Sequence, residues 1–248
     1  MTFLKNNLKF IVFLLVFGLV GGYFTGLYSI EMMNAEALEE IIQQVGSIDA
    51  VILITVVQSA LYSLVLGLIG KSLSQRIGLW RELKLDKKAL ASCGLVSLVG
   101  GALFILADVL VFGNYSDVIR ASYAIKPTIN YIIASITYGG VVEEVMLRLF
   151  WMSFAAFVIW KISRTKEACE SQIILANIIA AVLFAAGHLP ATISSIGISP
   201  MIIARCFLMN GGYGLLFGRL YRKYGIKYSM LAHAGVHIVS KLIWILFI

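Results

Sequence analysis

The sequence predicts an all-α polytopic membrane protein: a bundle of seven transmembrane helices, or eight, around an intramembrane polar cavity. Three observations predict it. The 248 residues are 60% hydrophobic and 13% charged, against roughly 25% charged for a soluble domain. The apolar residues fall in runs of about 20, the length of a membrane-spanning helix. The ionisable residues inside those runs are few, and they include all three histidines of the chain. The net charge of +7 would suggest nucleic acid in a soluble protein. Here the basic residues cluster in short loops between spans, which is the signature of topology, so no nucleic-acid partner is expected. Three cysteines without paired spacing indicate neither a disulfide framework nor a cysteine zinc site.

The first span follows Lys5 and Lys9 and runs from Phe10 to about Ile30, without a small-residue cleavage site after it. Its Gly18, Gly21, Gly22 and Gly26 suggest close helix packing. Five acids and no Lys or Arg occupy the next loop, up to Asp49, which places it outside. A second span covers about Ala50 to Gly70. The stretch Lys71 to Lys88 carries six basic residues and marks the inside. Its Leu79-Trp80 and Leu83 to Leu85 read as a short amphipathic piece at the interface. The third span, Leu90 to Phe112, contains Asp108 near its outer end, where an interfacial or helix-terminal place is expected.

Pro127 opens an apolar run to Trp160, about 50 Å as a helix and too long for one straight crossing. Gly139-Gly140 is the expected break. One kinked helix gives seven spans; a hairpin at Glu143 gives eight. Span five is about Gln172 to Leu189, stopped by Pro190, and Ser199-Pro200 caps span six, which runs to about Tyr221. The last span is Tyr228 to Ile248. We read 1–248 as one multi-pass domain in the cell membrane, with motifs only in 127–248.

Those motifs begin at Glu143-Glu144-Val145-Met146-Leu147-Arg148, the only charges in their run. A charge at mid-bilayer costs about 2.5–3.5 kcal/mol on insertion scales, so three together need a reason. Residues four apart share a helix face, so Glu144 and Arg148 can pair. Glu143 is turned about 100° away and aims elsewhere. His188 closes Phe184-Ala185-Ala186-Gly187-His188. His233 and His237 lie one turn apart on the last span. Counting residues from the span ends places Glu143, His188 and His237 at compatible depths, with His233 shallower.

Glu-Glu-x-x-x-Arg, then Phe-x-x-x-His, then His-x-x-x-His on successive spans resembles the CPBP family. That family comprises CAAX prenyl endopeptidases and bacteriocin-processing or immunity (Abi) proteins. Gly214-Leu215-Leu216-Phe217-Gly218-Arg219-Leu220-Tyr221 resembles the family's lead-in to the last motif. The resemblance covers about Pro127 to Ile248 and implies an intramembrane endopeptidase acting on a membrane-associated or lipidated peptide. By resemblance, Glu143 and His188 deprotonate a water. His233 and His237 donate to the oxyanion, and Glu144 with Arg148 is a structural pair. Many members have Asn where this chain has His237.

Such hydrolysis needs a base, an oxyanion donor and access for water. No cofactor is expected. The alternative is zinc held by these carboxylates and imidazoles, but His233-Ala-Gly-Val-His237 lacks the glutamate that follows the first histidine of zincins. The alternative function is a non-catalytic membrane adaptor or immunity protein that keeps the motifs for folding. A small-molecule transporter would show an inverted repeat, and none is visible.

Overall fold

The computed structural model describes residues 2–82 and 84–248. Among these there is no strand, and nine helices follow one another, with a single 3-10 turn at Phe112–Asn114 besides. Seven are long and apolar enough to cross a membrane. They are α1 (Thr2–Met32), α3 (Ile48–Arg76), α4 (Lys87–Leu110), α6 (Ile129–Ser163), α7 (Glu170–Ile196), α8 (Pro200–Tyr224) and α9 (Ile226–Phe247). The two short ones are α2 (Ala35–Val45) and α5 (Asp117–Ser122).

The starts of these helices follow local side-chain chemistry. The free N–H groups of a first turn need acceptors, and short polar side chains supply them. Ser47 accepts from Ala50, Asp86 from Lys88 and Ala89, Thr128 from Tyr131, and Ser199 from Ile202. Pro127 is therefore one residue ahead of its helix cap rather than inside the first turn. Pro200 does occupy the first turn of α8.

Two expected interruptions do not occur. At Gly139-Gly140 the chain neither breaks nor turns back. Helix α6 stays continuous by widening its turns into two π-helical stretches, Ser135–Glu143 and Val145–Met152. That gives seven spans. The glycines serve close approach instead. A Cβ at Gly140 would lie 2.7 Å from the Ala234 Cβ of α9. Nor does Pro190 stop α7, which continues to Ile196 and ends at Gly197, with φ +95°. One missing N–H is tolerated there because the last turns are held from the side. Ile196 packs into a cluster with Ile202 and Met209, and Thr192 meets Cys206.

The spans assemble through small residues. Built Cβ atoms at Gly18 and Gly22 of α1 would lie 2.8 Å from backbone atoms of α3, the kind of contact that substitutes for hydrophobic drive in lipid. Helix α9 lies against both α4 and α6. Two rims close the bundle. At one, Phe10 meets Trp80 and Lys227 donates to Lys84 O. At the other, Glu31 accepts from Thr128 and Asn130, and Lys126 from the loop before α6 donates to the end of α9. Charge separates between them. The first rim holds the basic loops, the second most of the acids.

The interfacial piece expected after span two takes another form. Leu79 is 2% exposed among Leu149, Met152 and Tyr221, with Trp80 against the same cluster. Both backbone N–H groups donate to Ser74 O, which turns the chain inward. Leu85 is exposed, and Leu83 lies outside the described residues.

Candidate active site

Four spans bring their motif residues together. The π-helical turns of α6 direct its two neighbouring acids to different partners. Such turns recur at functional sites. Glu144 points into the bundle and is fully buried. Its Oε1 is 3.1 Å from Arg148 Nη1 and 2.9 Å from His233 Nδ1, while Ser229 Oγ donates to Oε2. The imidazole and the hydroxyl give each carboxylate oxygen a hydrogen bond and the guanidinium supplies the opposite charge, as a buried carboxylate requires.

Arg148 is held less by hydrogen bonds than by surface. Its Nη1 lies beside Glu144 but off the line of a hydrogen bond, and neither Nη atom has a hydrogen-bond acceptor among the described residues. The guanidinium sits 4.8 Å from the Phe184 ring centroid and 5.6 Å from that of Phe217. Cation–π attraction of this kind strengthens where water is excluded. The lead-in glycines make the room. A Cβ at Gly214 would come 3.2 Å from Arg148 Nη2, and one at Gly218 would overlap the Asn177 side chain.

Glu143 faces the other way. Its Oε1 is 3.8 Å from His188 Nε2, with 18% and 35% of the two side chains exposed. His188 Nδ1–H donates to Phe184 O at 2.9 Å, since a carbonyl only accepts. In the neutral ring, Nε2 is therefore a lone pair aimed at the carboxylate. At 3.8 Å no direct hydrogen bond forms. Two acceptors across such a gap are matched by a molecule carrying two O–H or N–H bonds.

His233 and His237 stack, with centroids 5.0 Å apart, and Phe217 stacks on His233 at 4.4 Å. His233 is 5% exposed and turned to Glu144 rather than to Glu143. A Cβ at Gly139 would lie 3.0 Å from His237 Nε2 and 4.0 Å from Glu143 Oε2, so the glycine leaves both atoms bordering one space. Among the described residues no three His, Cys, Asp or Glu side chains gather as metal ligands. A cavity of about 1020 Å³ lies elsewhere, at the basic rim among Arg76, Arg81, Arg219 and Arg222.

Two buried charges hold more than the sequence reading gave them. Asp108 lies in the last turn of α4, as the helix-terminal alternative has it, but it is 1% exposed and takes Arg205 bidentately, both distances 2.6 Å, with Tyr123 O–H at 2.7 Å. Fork geometry with a third donor makes that burial sustainable. Burial, then the nearby Asp108 charge, raises the Tyr123 pKa. Lys241 is 3% exposed, one turn beyond His237. A lone Lys in an apolar run, four residues after a motif histidine, was the available signal.

Fold and site together define a multi-pass helical membrane protein with an acid–imidazole cluster between its spans. Residues 125–239 match the family model of the Type II CAAX prenyl endopeptidase Rce1-like proteins, of the CPBP family. No curated protein and no solved structure matches the chain.

Proposed function

We propose that this protein is an intramembrane endopeptidase of the cell membrane, hydrolysing a membrane-associated or lipidated peptide with water activated by Glu143 and His188. One observation carries the reading: Glu143 is turned from the buried Glu144–Arg148 pair toward His188, 3.8 Å away, close enough for one water to bridge the two acceptors from the side. The family match supports the reaction class.

In this scheme the water donates one hydrogen to the Glu143 carboxylate and one to His188 Nε2. Glu143 takes the proton as the water oxygen attacks the scissile carbonyl. The tetrahedral oxyanion needs N–H donors. His237 can supply one from Nε2. His233 can do so only as imidazolium, because its Nδ1 proton is committed to Glu144. The amide C–N bond then breaks, the departing nitrogen receiving the proton from the Glu143–His188 pair. No step requires a metal.

The test uses purified protein in liposomes, with farnesylated and unmodified peptides read by mass spectrometry. Wild type should cleave, and Glu143→Gln, nearly isosteric, should lose about 10²–10⁴-fold, the usual share of a general base. Cleavage by Glu143→Gln at the wild-type rate would remove Glu143 as base. Absence of cleavage, with cellular function intact in Glu143→Gln, would favour the adaptor reading.

A further inference from the structure

Lys241 belongs to no motif, yet it lies beside the cluster. It is 3% exposed, and no carboxylate among the described residues is within ion-pair distance of it. Its Nζ sits 4.1 Å from the Tyr131 ring centroid, a seat suited to an ammonium, and 3.4 Å from His237 Nδ1. A cation in an apolar span without an anionic partner is costly and marks function by default.

A neutral imidazole carries one proton, and its neighbours decide where. An ammonium has only N–H bonds to offer, so the ring nitrogen that faces it must present a lone pair. With Lys241 held as an ammonium over the Tyr131 ring and facing Nδ1, the His237 proton belongs on Nε2. That is the edge turned to Gly139 and to the space bordered by Glu143. His233, stacked on the same face of α9, has the opposite setting. Its Nδ1 meets an acceptor, Glu144, and so keeps the proton there.

We propose that Lys241 is a positioning residue that fixes His237 as the Nε2–H tautomer, aiming an N–H at the space beside Glu143. This rests on the proposed hydrolytic reading of the site. It explains how a histidine can do there what an amide N–H would do, and why an unpaired lysine lies one turn away.

Two readouts test it. The first is nitrogen-15 NMR of His237 in lipid nanodiscs, which is independent of activity. Wild type should show the proton on Nε2, and Lys241→Met should show Nδ1–H or a mixture. A wild-type Nδ1–H, or an unchanged tautomer in Lys241→Met, overturns the proposal. The second is cleavage in two backgrounds. Lys241→Met should lose about tenfold or more with His237 present, approaching the loss of an oxyanion donor. In His237→Asn, whose amide N–H needs no tautomer control, the same change should cost less than about twofold. An equal loss in both backgrounds would make Lys241 merely structural and overturn the proposal. Lys241→Arg keeps the donors and should stay near wild type in both readouts. Should wild type cleave nothing, the hydrolytic reading fails, while the NMR result still decides the tautomer.

Discussion

Glu143 and Glu144 are adjacent in sequence and opposite in circumstance. One is part exposed and faces a single imidazole, the other is sealed among a cation, an imidazole and a hydroxyl. Their divergence was legible in the sequence, because four-residue spacing assigns Glu144 to Arg148 and leaves Glu143 over. The claim of His233 on Glu144 was not, since it depends on how α9 is rotated against α6. Lys241 was signalled only by its own place, a lone Lys in an apolar run, because motif spacing says nothing about a residue outside the motif. Glu144→Ala should lower the folded yield and thermal stability, by about 3–5 kcal/mol for a buried charge left unpaired. Thermal unfolding in detergent measures it. A fully stable Glu144→Ala that has lost activity would transfer the base to Glu144.

At the scale of elements, α6 and α9 form the site between them. Period and length indicated an apolar run too long for a straight crossing, but not how the chain would accommodate it. The π-helical turns answer by absorbing extra residues per turn without breaking the span. Pro190 shows the same limit. A proline weakens a helix locally, and side packing of α7 decided the outcome. The two glycines of α6 separate fold from chemistry. Gly140→Val should push α9 off α6 and destabilise by at least about 1–3 kcal/mol, as overpacking does. Gly139→Ala meets side-chain atoms of the site, the His237 ring and then Glu143 Oε2, rather than backbone. It should leave the melting temperature nearly unchanged and reduce cleavage by about 10²-fold, the scale of a 1 Å misplacement. Equal stability losses in the two variants would contradict this division.

The molecule as a whole is a seven-span bundle with a basic rim and an acidic one. Its class was plain from composition and run length, and the order of spans followed from the loops. The Asp108–Arg205 clasp was hidden because its partners are 97 residues apart. The two rims lie on opposite sides of the membrane, and the basic one should be cytoplasmic. Cys169 lies at that rim, exposed. Its thiol pKa is lowered, first by the hydrogen bond with Ser171, while Cys93 and Cys206 are buried. A membrane-impermeant maleimide should therefore label Cys169 in inverted vesicles and not in intact cells. Labelling of intact cells would reverse the orientation.

The central claim is that Glu143 delivers a water rather than attacking the peptide itself. A single turnover in oxygen-18 water, with product examined by mass spectrometry, asks this directly. Attack by water puts oxygen-18 into the new carboxyl group on the first turnover. Attack by the Glu143 carboxylate would instead pass an enzyme-derived oxygen-16 to the product whenever the resulting anhydride is hydrolysed at the Glu143 carbonyl. We expect oxygen-18 in the first product; unlabelled product from an enzyme that cleaves would contradict the account.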